Sequence, residues 1–490
     1  MLLYRWLEEA TRNRGNAKAL VYRDTYLSWR GLQHRVERRA QEFASMGIGP
    51  GHWAGLMLGN VPDFAILALA LSKVGATVVP LDPTTSARDL ALILDAAPFR
   101  ALITRPRGGV DAVPQAAVIK TKTGSRTLQL PESRRRLQGT LLTCSIYKRL
   151  KVAETSQAAV VLFTSDSSGE PKGVLRTDEN LAAGVANLEA TLELSPDDRI
   201  LTTAPLFHAY GFDLGITVAL KQGATLYLED EVSPARIVKI LREQEVNFLP
   251  GMPSLYAALS KVPTAKPLKT KKARFLSAGS PLSDATADAF FERWGVRVMS
   301  MYHTTEAHAV TVDKKGAAPE SVGKAVSGVE LRVGEVGKLA ATGTGPVWVR
   351  SDAVSRGTIA DGASLSSSKK TKRTDVVIGG VDAAGWYRTG DVGKLDKAGK
   401  LVLTGREDNV VKVDGKRIAL GEVEGCIEAF GKVKAAQALV ITDPLGGPMV
   451  VAKVVVTSKC GAEEIIDHCA KNLASYKVPR RIEFCLTLPA

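Results

Sequence analysis

Thr164-Ser165-Asp166-Ser167-Ser168-Gly169-Glu170-Pro171-Lys172-Gly173 follows an apolar run that begins at Ala158. The run Ala158 to Thr164 reads as a buried strand, and the stretch after it as the loop that strand feeds. Glycine lets backbone N–H groups come close to phosphate oxygens, hydroxyls add donors, and Lys172 supplies a cation. The stretch is not the G-x-x-x-x-G-K-[ST] phosphate loop. Taken alone, an ordinary polar turn explains it as well, so the flanking chain must decide.

Upstream, Trp29, Leu32, Val36, Ala40 and Phe43 recur at helical spacing, and Gly47 stops the pattern. Phe64 to Val74 is apolar almost throughout, like a helix buried between layers. Thr77 to Pro80 and Ala101 to Thr104 read as strands, with a helix at Ala87 to Ala96 between them. This alternation predicts a doubly wound α/β sheet. Thr121 to Gln157 is polar and basic, a surface excursion. Downstream, α/β units continue to about Val349: strand Ala224 to Leu228, helix Pro234 to Glu245, strand Val246 to Leu249 and helix Ser254 to Leu259. After Gly405 the pattern changes to strand, helix, strand, strand, helix, a small α+β unit. The expected architecture is a large multi-subdomain α/β N-terminal domain, residues 1–405, and a small mobile α+β C-terminal domain, residues 406–490.

The 490 residues carry 65 basic and 51 acidic side chains, a net charge of +14. Nucleic-acid binding, polyphosphate attraction and simple solvation compete to explain it. The basic runs Lys269 to Arg274, Arg134 to Arg136 and Lys369 to Arg373 have loop-like neighbours and no interleaved aromatics, which favours solvated loops. Five scattered cysteines without a C-x-x-C pair suggest neither a disulfide framework nor a zinc site. A reducing, cytoplasmic setting is the expectation. The acidic pair Glu8-Glu9 interrupts any signal-peptide core, and the apolar runs are too short to span a bilayer.

Six more segments follow in order: Pro205-Leu206-Phe207-His208, Ser277-Ala278-Gly279-Ser280-Pro281-Leu282, Tyr302-His303-Thr304-Thr305-Glu306, Tyr387-Arg388-Thr389-Gly390-Asp391, Gly405-Arg406-Glu407-Asp408 and Tyr476-Lys477-Val478-Pro479. Together with the opening loop, this set resembles the adenylate-forming superfamily: acyl- and aryl-CoA synthetases, luciferases and peptide-synthetase adenylation domains. The resemblance runs from about Trp29 to the C-terminus. It implies a two-part reaction. A carboxylate attacks the α-phosphate of ATP, giving an acyl-adenylate and pyrophosphate; a thiol then attacks the acyl carbon and AMP leaves.

The resemblance also implies roles. Thr164, Ser165, Ser167, Ser168, Gly169 and Lys172 would hold the β- and γ-phosphates, Thr305 the α-phosphate, and Glu306 Mg²⁺. Asp391 would accept hydrogen bonds from the ribose hydroxyls, with Arg406 in support. Gly279, Ser280, Pro281 and Tyr302 would border adenine. His208, Ala209, Tyr210, Gly211, Gly279 and His303 would line the acyl pocket; the Ala-Tyr-Gly part is similar to benzoate-type CoA ligases. Asp408 sits at the hinge position and Gly415 on the CoA side. ATP, Mg²⁺ and CoA, or a carrier-protein phosphopantetheine arm, are the implied cofactors. The implied partners are a small carboxylic acid and an acyl or peptidyl carrier protein, with no nucleic acid and no membrane span.

Departures qualify the pattern. Asp166 replaces a glycine of the loop, and Glu170 occupies a position often held by lysine. At ~4 Å and an effective dielectric near 20, each carboxylate would repel a phosphate charge by roughly 4 kcal/mol before screening. His303 replaces the usual glycine before Thr-Thr-Glu and would narrow the pocket. The family's terminal Gly-Lys, whose lysine bridges the carboxylate and the α-phosphate, has no counterpart before Pro489-Ala490. Three readings follow: an ATP-dependent acid–CoA ligase for an aryl or short acid; an acyltransferase of the same fold between CoA and a carrier protein; and a non-catalytic binding module.

Overall fold

The helix Pro62–Lys73 is apolar on every side, and Phe64 to Ser72 are all buried. A helix of that composition must be covered all round. The computed structural model covers it with the helices Leu2–Arg14 and Trp29–Ser45 and the strands Trp53–Met57 and Thr77–Leu81, all feeding one core. The structure describes residues 1–85, 87–96, 99–105, 118–121, 124–127, 133–138, 140, 142–147, 158–165, 171–263, 267–268, 270, 272–316, 321–335, 337–355, 357–359, 381–382, 384–407, 410–413, 416–443 and 447–485.

The first sheet has eight strands, with Trp53–Met57 parallel to Thr77–Leu81 on one side and to Phe99–Thr104 on the other. The chain therefore winds outward both ways from Trp53–Met57, as the alternating pattern predicts. The second sheet has nine strands and a parallel centre that includes Arg199–Thr202, Phe248–Gly251, Arg274–Ser277 and Val298–Thr304. A four-stranded antiparallel sheet follows and includes Tyr387–Leu395 and Leu401–Arg406. The last part is a small α+β domain. Its strands Val433–Asp443, Gly447–Val456 and Arg481–Phe484 carry the helices Leu420–Glu428 and Ala462–Asn472. Its buried apolar residues, from Ile418 to Ile482, form a cluster of their own. Ahead of it lies a separate hairpin, Val410–Val413 with Lys416–Ala419.

Several sequence expectations change. The predicted α/β units divide between two large sheets. Part of the excursion at Thr121 to Gln157 is sheet: Thr143–Ile146 pairs with Phe99–Thr104 and with the edge strand Ser133–Arg136. Arg136 thus lies on an edge strand rather than in a loop, where a charged side chain discourages further pairing. Arg274 is not solvated either: it opens a central strand, is buried, and pairs with Asp198. The strand expected at Val246 to Leu249 runs from Phe248 to Gly251. The N-terminal helix was not anticipated, although Leu3, Trp6, Leu7 and Ala10 carry its spacing and are buried. Residues 369–373 lie outside the described residues.

Among the described residues no helix is long and apolar enough to cross a membrane. Phe64 is fully buried at the start of the sandwiched helix. Phe64→Ala should cost about 3–5 kcal/mol. The expected outcome is a lower thermal midpoint for the large domain, read by calorimetry, with the small domain's own transition unmoved.

Candidate active site

The strand Val160–Ser165 turns back into Pro171–Arg176 as an antiparallel hairpin, with Thr164 opposite Lys172. The expected phosphate loop is the tip of that hairpin. Asp166, Ser167, Ser168, Gly169 and Glu170 lie outside the described residues, and Ser165 is placed only by its backbone pairing with Pro171. The Lys172 ammonium is 3.8 Å from Oε1 of the buried Glu306.

A cavity of about 130 Å³ opens beside Thr164. Its wall includes Phe207, His208, Ala209, Tyr210, Gly279, His303 and Thr305, so three separate motifs meet there. His208 caps the short helix Ala209–Gly211, and its Nδ1 accepts the Tyr210 N–H at 3.3 Å. The proton of the neutral ring is then on Nε2. Gly211 is required by packing: a Cβ there would lie 2.2 Å from the Pro205 carbonyl oxygen. Gly279 has φ 91°, a left-handed conformation that favours glycine.

His303 and Tyr210 both line the cavity and meet ring edge to ring face at 5.6 Å. His303 Nε2 is 2.9 Å from Asp213 Oδ2. Asp213 sits on a π-helical stretch, Phe212–Thr217, a rare geometry often found at functional sites. Arg176 NH1 donates to both Asp213 oxygens, at 2.6 and 2.9 Å. Its Nε and NH2 donate to the Thr305 carbonyl at 2.9 and 2.5 Å. Burial alone would raise the Asp213 pKa. Arg176 overrides it, with His308 and His303 in support, and holds the carboxyl well below its ordinary range. His308 Nδ1 lies 3.0 Å from Asp213 Oδ2. Burial first, and Arg176 second, push the His308 pKa down to about 4.

The residue before His303 on the same strand reaches a different carboxylate. Tyr302 donates its hydroxyl to Asp391 Oδ2, and Arg406 NH1 donates to Asp391 Oδ1 at 2.8 Å. Asp391 and Arg406 are direct partners across adjacent strands. Asp391 is therefore a buried strand carboxylate. Ser277 Oγ and Ser280 Oγ, flanking Gly279, are buried without a hydrogen-bond partner among the described residues. Pro281 is exposed beside them. Asp408 and Gly415 lie outside the described residues.

The small domain closes the cavity with Lys416, Ala474, Tyr476 and Lys477. Next to it, an open groove of about 690 Å³ runs between Thr84 and Ala87 on one side and residues from Ile466 to Arg480 on the other. Sequence reasoning missed Arg176, Asp213, Asp82 and Lys416. For Asp213 a signal existed: it is a lone charge inside an apolar run, which demands a partner when buried.

The chain belongs to the AMP-binding enzyme family. Residues 7–358 match the family's sequence model, and residues 422–490 match that of its C-terminal domain. Among curated relatives, the feruloyl-CoA synthase of an Amycolatopsis species is 25% identical over 99% of this chain and 95% of its own. The medium-chain fatty-acid–CoA ligase of Escherichia coli K12 is 28% identical over 94% of this chain and 83% of its own. A solved variant of the amide bond synthetase of Marinactinospora thermotolerans is 25% identical with a TM-score of 0.81, covering 100% of this chain and 96% of that one. By class the protein is an acid–thiol ligase that uses ATP, Mg²⁺ and CoA.

The residues present fit those groups. Among the described residues no cluster of three metal-ligating side chains occurs. Mg²⁺ does not need one, since it is commonly held by one or two carboxylates plus substrate phosphates and waters. The orphaned serine hydroxyls beside Gly279 suit a polar ligand.

The buried histidine gives a pH prediction. A depressed His308 pKa favours folding fully above the unfolded value of 6.5, and the benefit is lost as pH falls toward 4. Roughly 3 kcal/mol should disappear across that window. In urea titrations from pH 7 to pH 4, His308→Gln should flatten the decline; a parallel decline would show that other groups set it.

Proposed function

We propose that this protein ligates a small carboxylic acid, aryl or short-chain, to CoA through an acyl-adenylate. The observation that carries this is the size and lining of the cavity. A cavity of 150 Å³ holds one benzene ring. Here about 130 Å³ is lined in part by Tyr210 and His303, whose ring is held by Asp213. A single ring or a few carbons match that space; an extended chain exceeds it.

The proposed roles follow the geometry. Asp391, oriented by Tyr302 and Arg406, keeps lone pairs for the ribose hydroxyls. Gly279, Ser280 and Pro281 border adenine with Tyr302. Lys172 and Thr164 would face the β- and γ-phosphates, and Ser165, Ser167, Ser168 and Gly169 are proposed to bind the same oxygens. Thr305, set by Arg176, faces the α-phosphate. Mg²⁺ at Glu306 would neutralise phosphate charge as pyrophosphate leaves. The acid's oxygen bonds to the α-phosphorus and the bond to pyrophosphate breaks. His208 Nε2–H then points a donor at the acyl oxygen, where charge develops when the thiolate attacks and AMP leaves.

The proposed division of the chain is 1–405 and 406–490, with Asp408 as hinge. Gly415 faces the thiol side. The groove from Thr84 to Arg480 carries Lys471 and Arg480, which suit the phosphates of CoA. Its open shape would also admit the phosphopantetheine arm of a carrier protein. That supports the second reading, acyl transfer between CoA and a carrier.

Pyrophosphate release is measured with ATP, Mg²⁺ and a panel of benzoates, cinnamates, short acids and long fatty acids. Release with ring or short acids is expected, and none with long chains; the reverse order would overturn the size argument. Acyl exchange between CoA and a carrier protein without any release would favour the second reading. Asp391→Ala should raise the KM for ATP roughly tenfold or more, because hydrogen bonds to a charged group contribute about 1.5–3 kcal/mol.

A further inference from the structure

Asp82 follows the strand Thr77–Leu81 directly, and one of its oxygens is already committed. Oδ1 accepts from the Thr84 N–H at 2.8 Å and from its hydroxyl at 2.7 Å. That turn aims Oδ2 outward at Lys416, whose ammonium is 2.5 Å away. Lys416 begins the second strand of the small domain's hairpin, 334 residues further along the chain. The ammonium also stands 4.3 Å above the Tyr476 ring and 5.8 Å from the Phe207 ring. Phe207 is the neighbour of His208. One cation thus touches both domains at the mouth of the cavity. Both Asp82 and Lys416 line it. Their side chains are 17% and 25% exposed, so the pair is screened less than a surface pair but is not sealed.

We propose that Asp82 and Lys416 form the latch that seats the hairpin Val410–Val413/Lys416–Ala419 over the cavity, acting as positioning residues for the thiol half of the reaction. The proposal rests on the acid–CoA ligase reading for its chemistry, but not for its geometry. With the latch closed, Lys416, Tyr476 and Phe207 form one wall, and the groove that would admit the thiol opens beside it. With the latch broken, that wall keeps its ring contacts and the packing of the hairpin on the strand Val160–Ser165 but loses its ion pair, and the thiol's path to the acyl carbon loses one fixed side. Burial would raise the Asp82 pKa; Lys416 outweighs it and keeps the carboxyl below its ordinary value, in line with a closed pair.

The test uses the full chain and three variants: Asp82→Asn, Lys416→Met and the exchange Asp82→Lys with Lys416→Asp. The readout is thioester formed per pyrophosphate released, with pantetheine as an uncharged thiol so that salt does not act through CoA's phosphates. The single variants should lower this ratio about tenfold, between the small effect of an exposed pair and the large one of a buried pair. Acyl-adenylate should accumulate, and the exchange should restore most of the ratio. Raising KCl from about 0.05 to about 0.5 M should lower the ratio in the unmodified protein, as screening weakens the pair. Small-angle scattering reads the seat without any reaction: both single variants should broaden the distance distribution, and the exchange should narrow it again. Unchanged scattering, or single variants that depress both half-reactions equally, would overturn the latch. Pyrophosphate release absent in every form, with the scattering response intact, would overturn the ligase reading and leave the latch standing.

Discussion

The Arg176–Asp213 pair is the constraint on which the site is built. Both side chains are essentially inaccessible to water. Removing two charges from water costs several kcal/mol per ion, and only good geometry offsets it. Here the geometry is nearly saturated: the guanidinium spends its donors on two carboxylate oxygens and the Thr305 carbonyl. Those contacts tie three chemical segments together. Arg176 is four residues beyond Lys172. Asp213 is two beyond Gly211 and the pocket helix. Thr305 adjoins Glu306. None of the three can shift without leaving a buried charge unpaired, so the hairpin, the acyl wall and the phosphate-side turn keep one register.

One strand extends that register to Asp391. Tyr302 and His303 are adjacent on it. His303 reaches Asp213, and Tyr302 reaches Asp391. The contacts to Asp213 and to Asp391 are thus set by a single backbone segment. A carboxylate held by a strand partner and a tyrosine is oriented before any ligand arrives. Such preorganisation is what makes fixed polar groups effective in a site.

The same geometry explains what the sequence could and could not disclose. Local features were legible. The buried helix at Phe64 and the strand ending in the phosphate-type loop follow from spacing within a few residues, whereas the glycines at 211 and 279 came through the family resemblance. The motifs were legible because each is a local backbone device in a fixed order. The wiring between them was not. Arg176 and Asp213 are 37 residues apart, Tyr302 and Asp391 are 89, and His303 and Asp213 are 90. No periodicity encodes such pairs. Arg274 shows the same limit: within a basic run it read as solvated, yet Asp198, a buried partner far along the chain, fixes it in a strand.

The two walls of the cavity are held by forces of different exposure. The wall built by Tyr210 and His303 rests on an ion pair that is 0% and 1% exposed. The wall built by Lys416 and Tyr476 rests on a pair exposed by 25% and 17% and on ring contacts. Water and salt reach the second and not the first. Opening the cavity therefore costs least on the small domain's side, the side on which the groove from Thr84 to Arg480 lies. The wall of Tyr210 and His303 is held by charges shut away from water, while the wall of Lys416 and Tyr476 is held by a pair that water reaches, so the two sides of the cavity answer to different interactions.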